Sequence, residues 1–89
     1  MIRLTKSGNG EPVYVSPDLI VSAEIVDEVT MLNVRSDRIF VTESPEEVAR
    51  KVLKWRKAMI RFAYGTSTEA AHAEKVLSEL AGLEVAEDG

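Results

Sequence analysis

The sequence predicts an α+β fold: a small curled antiparallel β-sheet of about five strands, followed by an amphipathic helix and a second C-terminal helix. Three observations carry that expectation. Short runs rich in β-branched residues fill the N-terminal half, a proline-containing capping box opens a helix at Ser44, and a second capping box opens another at Thr66. With 89 residues, 45% hydrophobic and only 6% aromatic, the chain can bury one modest core.

The strands come first. Ile2, Arg3, Leu4, Thr5 and Lys6 alternate apolar and polar side chains, the period of a half-buried strand, and Ser7-Gly8-Asn9-Gly10 follows with residues that tolerate positive φ. A hairpin results, with Val13-Tyr14-Val15 as the returning strand. Ser16-Pro17-Asp18 ends it, because proline removes a ladder donor and Asp18 can bond the local backbone. Extended chain resumes over residues 19–26. Residues 29–35 and 38–42 flank Ser36-Asp37 and read as a second hairpin around a two-residue turn.

Ser44-Pro45-Glu46-Glu47 places a hydroxyl at the N-cap, proline at the first helical position and a carboxylate at the third, all of which favour a helix start. Val48, Val52, Trp55, Met59 and Phe62 then recur at helical spacing, one apolar stripe that can close the open face of the sheet. Trp55 is read as core on that stripe, in preference to an interaction anchor. Gly65 is expected to end the helix in a left-handed conformation. Thr66-Ser67-Thr68-Glu69 repeats the capping pattern, and Ala70, Ala73, Leu77 and Leu80 form a narrower stripe on a second helix that stops near Gly82. The tail, residues 84–89, reads as frayed. The expected organisation is a sheet-plus-helix domain over residues 1–64 and a helical extension over residues 65–89, the more dispensable part.

Composition narrows function mainly by exclusion. No apolar run approaches the ~18 residues that cross a bilayer, and no secretory signal is legible, so a cytoplasmic location is expected. The chain has no cysteine and one histidine, which removes thiol nucleophiles, zinc ribbons and multi-histidine metal sites within one chain. No cofactor is expected: Ser7-Gly8-Asn9-Gly10 lacks the lysine and the strand-to-helix setting of a phosphate loop. The carboxylate neighbours Asp27-Glu28 and Glu46-Glu47 read as solvated or capping groups. His72 lies between alanines, with Ser67 and Ser78 the nearest hydroxyls in sequence, and no nucleophile, base and orienter can be assembled from them. No catalytic residue is assigned, and the expectation is a protein that is not an enzyme.

Net charge is −4, yet the charge is segregated. Residues 1–44 carry four basic and seven acidic side chains, residues 45–62 six basic and two acidic, and residues 63–89 one basic and six acidic. The middle is a positive island. Arg50, Lys54, Lys57 and Arg61 share one helix face, flanked by Lys51 and Arg56, and form the candidate partner-binding surface. Such a face suits nucleic acid, an anionic lipid headgroup or an acidic protein segment. The structural alternative is cations that complement the helix dipole and are partly neutralised by the acidic second helix. No aromatics interleave with the stripe for base stacking.

Four landmarks in register now resemble a known family. The opening Met1-Ile2-Arg3-Leu4-Thr5, the glycine-containing turn, Ser16-Pro17-Asp18-Leu19-Ile20, and Val41-Thr42-Glu43-Ser44-Pro45-Glu46-Glu47-Val48 are similar to the FlbD family of small flagellar and swarming-motility proteins. In that family the middle motif usually begins with asparagine, where this chain has Ser16, and a glycine and lysine commonly stand near Ser36-Asp37-Arg38. The resemblance covers residues 1–60 and has no counterpart from Phe62 onward.

What the resemblance implies is a non-enzymatic cytoplasmic protein linked to flagellar motility or its regulation, with no catalytic residues to carry over. A protein-interaction module follows, with the basic helix face as its contact surface and an unidentified protein as its partner. Self-association is also expected, because edge strands such as residues 2–6 can dock a second copy and a small core gains from extra burial. Two competing readings stand beside it. The start Met-Ile-Arg-Leu-Thr-Lys is similar to the first strand of the CsrA family of RNA-binding regulators, although the later landmarks fit poorly and the net charge is acidic. The third reading is a phage or mobile-element accessory protein that uses the fold without the motility role.

Overall fold

A computed structural model of the chain describes residues 1–83. The element order is β1 (Ile2–Thr5), β2 (Pro12–Val15), a 3-10 turn (Pro17–Leu19), β3 (Ile20–Val26), β4 (Val29–Val34), β5 (Asp37–Val41), α1 (Pro45–Tyr64) and α2 (Ser67–Leu80). The α+β plan and the strand count follow the sequence expectation. The strands nevertheless divide between two antiparallel sheets, β1-β2 and β3-β4-β5. A single bridge, Lys6 to Val41, joins them, supported by hydrogen bonds from Ser7 N–H to the Phe40 carbonyl and from Thr42 N–H to the Thr5 carbonyl, each 2.9 Å.

The first hairpin pairs Ile2 with Val15 and Thr5 with Pro12 around a loop in which Gly8 and Gly10 adopt positive φ. Asn9 tightens the loop by accepting the Glu11 N–H at 2.9 Å through its side-chain oxygen. Pro17 is fully buried, and the chain turns there as expected. Leu19 belongs to the 3-10 turn, so extended chain begins at Ile20, and the Ser16 side chain makes no capping bond.

Two turns differ from the sequence reading. The β4–β5 register pairs Val34 with Asp37, so the turn is Arg35-Ser36 and not Ser36-Asp37. Arg35 takes the positive φ of 54° that a tight hairpin demands, while Asp37 opens the strand and accepts the Arg38 N–H at 2.8 Å. In the β3–β4 hairpin Val26 pairs with Val29, and Asp27 (φ 51°) and Glu28 (φ 66°) are the two central residues. Both therefore sit in the left-handed region that glycine and asparagine occupy at lower cost.

The core is Ile2, Leu4, Val15, Leu32, Val41 and Val48, with Val52, Trp55 and Leu80 packed against it. Both sheets and both helices thus feed one core. Burial of each large apolar side chain contributes about 1.5–3 kcal/mol before entropy is counted. The predicted stripe of α1 holds only in its first half: Val48 is buried and Val52 and Trp55 half-buried, whereas Met59 is 41% and Phe62 49% exposed. The cause is length. A helix of 20 residues runs about 30 Å, and the longest strand, of seven residues, runs about 23 Å, so α1 overhangs the sheet. The overhang packs against α2 instead, with Ala58 and Ala73 buried where the helices meet.

Gly65 does not take the left-handed conformation expected of it. Its φ and ψ are −83° and 177°, extended backbone open to any residue, and its N–H donates to the Arg61 carbonyl at 2.8 Å. What requires glycine is space, because a Cβ would stand 2.5 Å from that carbonyl oxygen and 2.9 Å from the Glu69 Cβ. A left-handed glycine does follow α2: Gly82 (φ 75°) lies just past its end, against the Arg3 side chain. The frayed tail expected over residues 84–89 lies outside the described residues.

Candidate partner-docking site

The start of α1 is set by a complete capping box. Ser44 Oγ accepts the Glu47 N–H at 3.1 Å, the Glu47 carboxylate accepts the Ser44 N–H at 3.4 Å, and Pro45 occupies the first turn. Because Val48, Val52 and Trp55 face the core, Arg50, Lys54, Lys57 and Arg61 are directed to the opposite side, and all four are exposed. The flanking cations have other surroundings. Lys51 is half-buried, and its Nζ donates to the Arg3 carbonyl at 3.0 Å, stitching α1 to β1. Arg56 turns toward β3, where it lines a groove with Ile20 and Ala23.

Across the Gly65 joint a second capping box starts α2. Thr66 Oγ1 accepts the Glu69 N–H at 3.2 Å, and Glu69 Oε1 accepts the Thr66 N–H at 2.9 Å. The returning helix encloses a cleft of about 240 Å³ against α1. Ala58, Ala73, Val76 and Leu80 supply apolar lining, while Lys54, Lys57, Arg61 and His72 bring nitrogen donors and Glu79 one carboxylate. Of the four cations that the sequence singles out, the structure brings three together here; Arg50 shares their helix face but does not line the cleft.

His72, to which the sequence assigns no catalytic role, joins the group. The available signal was its place beside Ala73, whose stripe position puts His72 at the edge of the helix–helix seam. Ser78, its near neighbour in sequence, lies with Ala71, Glu74 and Lys75 on another face of α2. Among the described residues, α2 contributes one carboxylate to the cleft, since Glu69 is spent on capping and Glu74 lies on that other face. Among the described residues no group of three or more His, Asp or Glu side chains converges in a way that could hold a metal. Among the described residues no helix is long and apolar enough to cross a membrane.

The arrangement is suited to holding: flexible ammonium groups, a guanidinium and an imidazole border a non-polar trough, which matches a ligand that is anionic on one side and apolar on the other. Together the fold and this surface define a small α+β module with a cation-rimmed helical cleft. The family model described as Flagellar and Swarming motility proteins, FlbD, matches residues 1–60, more than half of the chain, and the protein belongs to that family. Membership links it to flagellar and swarming motility. No curated protein and no solved structure matches the chain significantly. The match ends inside α1, so Lys54 and Lys57 fall within it, whereas Arg61, His72 and the whole of α2 lie beyond it.

Proposed function

We propose that this protein is a non-enzymatic, cytoplasmic interaction module of the motility system, and that its cleft between α1 and α2 docks an acidic amphipathic segment of a partner protein. The observation that carries the reading is the juxtaposition of Lys54, Lys57 and Arg61 with the apolar trough of Ala58, Ala73, Val76 and Leu80. A helix with leucines on one side and glutamates on the other fits both properties at once, burying its apolar stripe and pairing its carboxylates at the rim. Nucleic acid fits less well: among the described residues the cleft is lined by no Phe, Tyr or Trp ring, and the His72 imidazole alone could stack a base.

The test has two arms. An amphipathic leucine/glutamate peptide about four turns long is titrated against the protein, with a lysine-for-glutamate version as control. Binding of the acidic peptide alone, lost in the Lys54→Glu, Lys57→Glu double variant, is expected. In a flagellated host, the same double variant at the native locus reduces swarming as far as deletion does, with growth unchanged. Wild-type swarming by that variant, or binding of an RNA oligonucleotide in place of the peptide, overturns the proposal.

A further inference from the structure

The sequence pointed to residues 2–6 as an edge that could receive a second copy. The structure closes that edge: β1 pairs with β2 on one side, and on the other Thr5 and its neighbours bond Thr42 and Glu43. The open edges lie elsewhere. β2 is one, and it begins with Pro12, a residue without a ladder donor. β3 is the other. It is the longest strand, it contains neither lysine nor proline, and no backbone hydrogen bond outside its ladder with β4 reaches residues 21–26.

We propose that β3 is a homodimer interface, in which two copies pair β3 against β3 antiparallel about a two-fold axis at Ala23, giving one continuous six-stranded sheet. The strand is self-complementary, as a two-fold interface requires of a single surface. Read in both directions from Ala23, the strand Ile20-Val21-Ser22-Ala23-Glu24-Ile25-Val26 places apolar against apolar and polar against polar. Val21 faces Ile25 of the second copy, Ile20 faces its Val26, and Glu24 faces its Ser22. No carboxylate within the strand meets another, whereas an axis one residue later would set Glu24 against Glu24.

Exposure agrees with that pairing. Val21 is 71% and Ile25 66% exposed, which leaves large β-branched side chains in water on an edge that pairing would cover. On α1, Leu53 is likewise 54% exposed. It lines, with Ile20, Ala23, Ala49 and Val52, a groove of about 390 Å³ beside the open strand. The one irregularity in β3, a register shift between Ile20 and Ser22, falls at its first residues and leaves residues 22–26 in regular pairing with β4. This interface is separate from the cation-rimmed cleft, so either proposal can fail without the other.

Sedimentation equilibrium reads the result directly. The protein is expected to show a concentration-dependent mass that rises from 9.8 kDa to twice that value. Val21→Lys with Ile25→Lys places lysine opposite lysine and weakens the dimer by about tenfold or more, with the circular dichroism spectrum unchanged because both side chains already face water. Mixing that variant with Val21→Glu, Ile25→Glu restores a mass of two chains. Ile60→Lys, a change at an exposed apolar residue of α1 outside the groove, leaves association intact. A second readout does not depend on the lysines. The natural chain has no cysteine, so Ala23→Cys forms a disulfide-linked dimer on mild oxidation much faster than Ser36→Cys in the β4–β5 turn. A single-chain mass at every concentration, a dimer indifferent to the lysine pair, or equal cross-linking at the two cysteine positions overturns the proposal.

Discussion

Glu43 holds Thr5 twice. One carboxylate oxygen accepts the Thr5 backbone N–H at 2.9 Å and the other accepts its hydroxyl at 3.0 Å, across 38 residues of sequence. The pair stands where the two sheets meet and immediately before the N-cap of α1, so it fixes the first hairpin against the helix start. Charge-assisted bonds in a partly buried setting are the stronger kind. Replacing Glu43 with alanine is expected to cost about 1–3 kcal/mol, because the Thr5 donors lose both acceptors. In a domain of this size that is a fall of roughly 4–8 °C in melting temperature per kcal/mol. Glu43→Gln, which keeps one carbonyl acceptor, falls less. A thermal melt that places Glu43→Ala within a degree or so of the parent removes the clamp from the account.

The β3–β4 turn offers the opposite experiment. Asp27 and Glu28 both adopt positive φ, a conformation costing roughly 1–2 kcal/mol for a residue with a Cβ and little for glycine. Asp27→Asn with Glu28→Gly installs the pair that a two-residue hairpin turn favours, and both side chains are exposed, so no packing is lost. Stability should rise by about 1 kcal/mol, read as a higher urea midpoint at unchanged slope. An unchanged or lower midpoint refutes the strain argument.

Much of this fold was legible because local and tertiary signals agreed. The capping boxes at Ser44 and Thr66 are written entirely in local chemistry, and both formed with their hydrogen bonds complete. Features that depend on what lies across space were less readable. Met59 and Phe62 fit the apolar stripe by spacing, but spacing carries no information about where the sheet ends beneath the helix. The turn residues Asp27, Glu28 and Arg35 carry no glycine or asparagine signal, so their positive φ is imposed by strand register. At the candidate site the spacing of Lys54, Lys57 and Arg61 was visible, whereas the cleft needed α2 folded back on α1, and His72 joined it through that return.

Gly65 tests whether the helix–helix joint is governed by space or by backbone conformation. Its φ suits any residue, so a substitution meets no intrinsic penalty there, and the whole effect must come from the Arg61 carbonyl and Glu69. Gly65→Ala is expected to destabilise by about 1–3 kcal/mol, as overpacking does. The loss should be accompanied by faster amide exchange in α2, because relief comes from moving that helix away. Stability equal to the parent, or gained through the reduced entropy of the unfolded chain, contradicts the steric reading.

Ala58 and Ala73 set the distance between the helices, and their small size lets the cleft have an apolar lining within reach of the cations. Enlarging Ala73 to leucine forces the backbones apart, since a buried alanine leaves no volume for three further carbons. A cost of about 1–3 kcal/mol is expected in urea unfolding, together with loss of acidic-peptide binding, because trough and rim are displaced together. Lys54→Gln acts differently: the residue is exposed, so stability changes by less than about 0.5 kcal/mol while binding and its salt sensitivity decline. The contrast separates shape from charge. If Ala73→Leu binds the acidic peptide as the parent does, the trough takes no part in docking and the cations act as an open charged surface.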